Sequence, residues 1–125
     1  MNVVLWIAAG LLAAIFLMGG LVKATQSKEK LVTDPRMGWT VDFPAGLIKT
    51  IGILEVLAAI GLILPAVLDI APILVPLAAT GLVIVMIGAI VVHARRKEYQ
   101  PVVMNVVLLV LAAFVAIFRF GPNAF

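Results

Sequence analysis

Five side chains in this apolar chain have types that could do chemistry: Lys23, Lys49, Glu55, His93 and Asn105. Glu55 stands out, because GILEVLAAIG surrounds it with aliphatic and small residues and no other charge lies between Lys49 and Asp69. An ionised carboxylate deep in hydrocarbon costs about 2.5–3.5 kcal/mol on insertion scales, so such groups face a protein interior and a partner. Glu55 and His93 could hydrogen-bond the polar head of an otherwise apolar molecule or relay a proton. Lys23, Lys49 and Asn105 add two cations and an amide. One Glu and one His are too few for a metal site, which normally needs three or four ligands, and no metal is expected. There are no cysteines, which excludes disulfides, thiol chemistry and Cys-held metals. No Gly-rich phosphate loop, nucleophile elbow or zinc motif is present. No catalytic residue is assigned, and the chain is not read as an enzyme by itself.

The elements that must position these residues follow from composition. The chain has 125 residues, 65% hydrophobic and 12% charged, against roughly 25% charged in a soluble domain. Four apolar runs, about residues 3–22, 43–64, 70–93 and 101–119, are each long enough to cross a hydrocarbon core of about 30 Å as a helix. The fold class expected is all-α: an integral membrane four-helix bundle with antiparallel up-down topology, residues 1–125 forming a single transmembrane domain. Only Met1 and Asn2 precede the first run, so it lacks the basic n-region of a signal peptide.

Charge orients the bundle. The connection over residues 24–42, bordered by Lys23, carries Lys28, Lys30 and Arg36, and that over 94–100 carries Arg95, Arg96 and Lys97, whereas PAVLD (Pro65–Asp69) has no basic residue. The positive-inside rule places the two basic loops in the cytoplasm and both termini outside the cell (inner) membrane. Topology thereby accounts for the net charge of +3 without a nucleic-acid partner. The basic loops could also dock a cytoplasmic partner, and association of copies of the chain stays open.

Prolines mark the same boundaries. Pro44, Pro72 and Pro101 suit first helical turns, Pro65 closes the second helix, and Pro76, inside the third, predicts a kink. The long first loop mixes apolar residues with charges, placing part of it at the interface with Trp39 as an aromatic anchor. In the second helix Ala45, Gly52 and Ala59 make a small-residue seam bordered by Lys49 and Glu55; Gly10, Gly19, Gly20, Gly81 and Gly88 would permit similar close approach elsewhere. Glu55 lies roughly 18 Å beyond Phe43 along its helix, near mid-membrane. Side chains lean toward their helix N-terminus, so His93 and Lys23 lean toward Glu55 and are its expected partners, through water. Lys49 leans away. The plainer readings are a protonated Glu55 hydrogen-bonded to a neighbouring helix, lysines that reach the headgroups, an interfacial His93, and Asn105 as helix glue.

LVK at the first helix end, the loop motifs DPRMGW and DFP, then IGILEVLAAIGLILP and MIGAIVVHARR, together resemble the DoxX-like family of small four-helix membrane proteins. The resemblance covers nearly the whole chain and singles out Lys23, Gly52, Glu55, Gly88, Ala89 and His93. It implies association with membrane redox complexes, including small subunits of thiosulfate:quinone oxidoreductase, and hence a quinone as the one cofactor to consider. Two functional expectations stand side by side. Either the bundle pocket binds a hydrophobic ligand, a quinone or isoprenoid lipid, or the protein is a non-catalytic membrane scaffold with no ligand of its own. A proton or solute pathway is disfavoured, because the outer half is almost without polar groups.

Overall fold

The computed structural model describes residues 2–33, 35–122 and 124. Asp34, and the side chains of Pro35, Arg36 and Asp42 in the DPRMGW and DFP motifs, lie outside the described residues.

Long apolar stretches become helices because a helix satisfies its backbone polar groups within the segment. Four such helices form here: α1 (Asn2–Thr25), α3 (Ala45–Val67), α4 (Leu74–Arg95) and α5 (Tyr99–Phe120). All four are long and apolar enough to cross a membrane, and no strand occurs among the described residues. Each helix buries a stripe, as in Leu5, Leu12 and Phe16 of α1 or Ala79, Leu82 and Met86 of α4. The opposite faces are just as apolar: Ile7, Leu11 and Met18 of α1, Ile53 and Leu57 of α3, Ile84 of α4 and Val103 of α5 are exposed. A helix apolar on every side suits hydrocarbon, not water.

The closest helix pairs are α1 with α3 and α4 with α5, and contacts of α3 with α4 and of α1 with α5 join the pairs around a common core. Glycine sets the approach of α1 to α3. A Cβ on Gly52 would lie 2.7 Å from both the Gly20 carbonyl oxygen and the Ala24 nitrogen, and a Cβ on Gly20 2.7 Å from the Gly52 carbonyl oxygen. The two backbones therefore touch at a distance that no side chain permits. Of the expected seam, Gly52 and Ala59 are buried, but Ala45 is exposed and Ile48 takes the inward position. A methyl added at Gly10, Gly81 or Gly88 would meet nothing within 4 Å beyond its own helix backbone; all three glycines are exposed and are not helix contacts.

Pro101 lies in the first turn of α5, as expected, but the other prolines depart from expectation. Pro44 precedes α3 in an extended conformation, as its N-cap. Pro65 lies inside α3, which continues to Val67, and Pro72 lies ahead of α4. The α3–α4 turn contains Asp69 and Ala71 at positive φ (52° and 47°). A residue before proline is disfavoured in the right-handed helical region, so Ala71 cannot start the helix and α4 begins at Leu74 instead of at 70. Pro76 consequently falls in the first turn of α4, where a missing N–H breaks no helical bond, and the expected kink has no cause.

The first connection is not an open loop. It holds a short helix, α2 (Lys28–Thr33), whose Lys30 N–H donates to the Ser27 hydroxyl at 3.3 Å, an N-terminal cap. A 3-10 segment, Pro35–Asp42, follows and packs on α2. Leu31 and Thr40 are fully buried, and the Thr40 hydroxyl donates to the Met37 carbonyl at 2.6 Å.

Candidate functional site

The Gly20–Gly52 contact places the end of α1 directly beside the middle of α3. Lys23, one turn beyond Gly20, reaches Glu55, and its Nζ lies 2.6 Å from Glu55 Oε1. The pair is direct, without the intervening water expected, because the glycines draw the helices so close. Glu55 is 2% exposed, so its charge is balanced by Lys23 alone among the described residues. The Lys23 ammonium also lies 5.8 Å from the centre of the Trp39 ring, within cation–π range. Gly19 leaves space beside Glu55 Oε2, since a methyl there would stand in ordinary contact with it at 3.7 Å.

His93 does not pair with Glu55. At the end of α4, Lys97 takes a positive φ of 58°, the Lys97 N–H donates to the Ala94 carbonyl at 3.1 Å, and the Glu98 N–H to the His93 carbonyl at 2.9 Å. That is a Schellman closure, and it turns Glu98 back beneath the last turn. Glu98 Oε1 then lies 3.0 Å from His93 Nδ1 and 3.0 Å from Arg96 Nε. The hydrogen bond from His93, and then the bond and charge of Arg96, hold the Glu98 carboxyl below its usual range. An ionised carboxylate only accepts, so His93 Nδ1 carries the hydrogen. The imidazole also meets Trp39 edge-on, ring centres 6.3 Å apart.

These groups border one cavity of about 460 Å³, within the size range of small-molecule sites. Lys23, Glu55, His93 and Asn105 line it, one from each long helix. Its remaining wall is apolar, with Phe16 from α1, Leu108 from α5, and Met37 and Trp39 from the 3-10 segment. Asn105 Nδ2 is buried and has no hydrogen-bond partner, a condition that costs about 1–3 kcal/mol. Lys49 is not brought in: it is exposed and donates to the Ala24 carbonyl at 3.4 Å, closing the end of α1. Gly88 and Ala89 line the cavity, so Gly88 leaves space there in place of the packing role expected of it.

Three features are not visible from residue types alone. Trp39, expected at an interface, sits over the cavity between Lys23 and His93. Glu98 carries only a weak signal in the sequence, as an acidic residue five positions after a helix-terminal histidine. Arg119, which marks no more than the end of an apolar run, is 4% exposed. No group of three or more metal-ligating side chains occurs among the described residues.

The sequence profile of the DoxX-like family matches residues 7–115, which takes in the α1–α3 glycine contact, the ion pair, His93 and Asn105. No curated protein and no solved structure gives a significant match. Four membrane-crossing helices and a match over most of the length lead to one identification: the chain is a multi-pass membrane protein and belongs to the DoxX-like family.

Proposed function

We propose that the cavity binds a hydrophobic molecule with an oxygen-bearing head, a quinone or an isoprenoid lipid, drawn from the surrounding bilayer. The observation that carries this reading is the buried, unpaired Asn105 Nδ2 in a cavity otherwise walled by apolar side chains. A carbonyl or hydroxyl oxygen at that point would satisfy it. The residues present fit a quinone: Asn105 donates, Lys23 and Glu55 fix the field at one side, and Trp39, Phe16 and Leu108 supply apolar surface. A bound quinone would supply reversible two-electron, two-proton chemistry, while this chain's residues bind and orient its head. Membership of a redox complex rests on the family alone; with no cysteine in the chain, any thiol step would belong to a partner. The shared cavity is consistent with an antiparallel bundle, and the charges of the two basic loops favour placing them in the cytoplasm with the termini outside.

The test is mass spectrometry of small molecules retained by the purified protein, followed by titration of short-chain quinones. The expected outcome is a retained quinone or isoprenoid, with binding weakened in Glu55→Gln. Binding unchanged in both Glu55→Ala and His93→Ala would remove the assigned site.

A second reading draws on the direct Lys23–Glu55 contact across the glycine seam. In it the pair pins α1 to α3 in a scaffold whose basic loops dock a cytoplasmic partner. That reading requires Glu55→Gln to lower the thermal midpoint with no ligand present, and pull-downs to depend on Arg95, Arg96 and Lys97.

A further inference from the structure

The hydrogen-bonding character of the cavity is set by Glu98, which lies outside its wall. Because Glu98 takes the Nδ1 hydrogen of His93, neutral His93 has a bare Nε2, and this nitrogen has no partner among the described residues. Glu55 uses Oε1 for Lys23, and its Oε2 accepts no hydrogen bond among the described residues. The cavity residues therefore offer two free acceptors, His93 Nε2 and Glu55 Oε2, and one free donor, Asn105 Nδ2. A head group with carbonyl oxygens alone can satisfy only the donor, whereas one with hydroxyl groups can donate to the acceptors and still accept from Asn105.

We propose that Glu98 is a positioning residue that locks His93 with Nε2 as an acceptor, so that the cavity selects the dihydroxy, reduced form of an aromatic ligand over its dicarbonyl form. This rests on the ligand-binding reading above and adds the oxidation state preferred. Binding in this mode leaves every proton on its original heavy atom. Among the described residues, the charged groups around His93 are Glu98 and Arg96 of the α4–α5 turn, Lys23 of α1 and Glu55 of α3; α5 contributes the uncharged Asn105, and the 3-10 segment contributes Trp39.

His93 is the chain's one histidine, so imidazole ¹⁵N spectra of the whole protein in detergent report on it without assignment. The wild type is expected to show the Nδ1–H tautomer. Glu98→Ala should shift the population to Nε2–H, while Glu98→Gln, whose amide oxygen still accepts, should retain Nδ1–H. Three probes are then titrated without oxygen: a decyl-substituted benzohydroquinone, its dimethyl ether and the corresponding benzoquinone. The hydroquinone should bind about tenfold more tightly than either of the others, as expected for acceptors otherwise left unpaired. That preference should be lost in Glu98→Ala and kept in Glu98→Gln. A wild-type Nε2–H tautomer overturns the proposal. Equal affinity for the three probes overturns it too while leaving the binding site in place, and failure of all three to bind removes both.

Discussion

At the scale of single residues, burial decides what each charge does. The Glu55 carboxyl sits among apolar neighbours with the Lys23 ammonium 2.6 Å away. Removing one partner of a buried pair leaves the other uncompensated, at a cost of about 3–5 kcal/mol. Lys23→Met should therefore lower the thermal midpoint in detergent markedly, and adding Glu55→Leu should restore most of the loss. If the single variant melted like the wild type, the pair would not be holding the helices. Glu98 gives a pH-dependent counterpart. Its carboxyl is held below the ordinary glutamate range, so its contribution is present in full above the unfolded value of about 4.3 and vanishes as pH falls through the lower folded value. The difference in melting between wild type and Glu98→Gln should hold from about pH 5 to about pH 7 and shrink in stronger acid. The importance of Glu55 was legible in the sequence from its isolation, and side-chain direction limited its partners to Lys23 and His93. Choosing between them needed the Gly20–Gly52 approach, a contact between residues far apart in the chain.

At the scale of elements, two local geometries build the site. The first is the glycine contact of α1 with α3. A methyl on Gly52 would stand 2.7 Å from backbone atoms that cannot swing aside, and overpacking of this kind costs about 1–3 kcal/mol. Gly88→Ala, where a methyl meets open space, serves as the contrast: Gly52→Ala should melt earlier than the wild type, and Gly88→Ala should melt at or above it. The second is the turn after α4, where Lys97 adopts a φ of 58° that costs a side chain more than a glycine. Lys97→Gly should raise stability by about 0.5–1 kcal/mol and leave the His93 tautomer unchanged. Helix existence could be read from run length, but helix starts could not, since Pro72 delays α4 through its effect on Ala71 and Pro76 then lands in the first turn. The 3-10 segment carries no periodic signal: of its described side chains Met37 and Trp39 are half-buried, Thr40 is buried and Val41 is exposed, which follows no helical or strand period.

At the scale of the whole molecule, apolar faces surround a small polar interior. Loop charges predict its orientation: the positive-inside rule expects both basic connections on the cytoplasmic side. The chain lacks native cysteine, so single introduced thiols test this directly. A membrane-impermeant maleimide applied to intact cells should label Asp69→Cys, and should label Lys97→Cys only after the membrane is opened. The reverse pattern would invert the bundle and exchange the sides from which the cavity-covering segment is reached.

The sequence by itself determined that four helices would form and suit a membrane, because hydrophobic length and backbone satisfaction in hydrocarbon are properties of each segment taken alone. It also marked Lys23, Glu55, His93 and Asn105 as groups that must find polar company. Only the tertiary structure decided which company. Lys23 went to Glu55 because two glycines let α1 and α3 touch, His93 went to Glu98 because the turn after α4 folds back, and Asn105 was left facing a cavity with its amide unpaired. These outcomes depend on distances between separate helices, which no local pattern encodes.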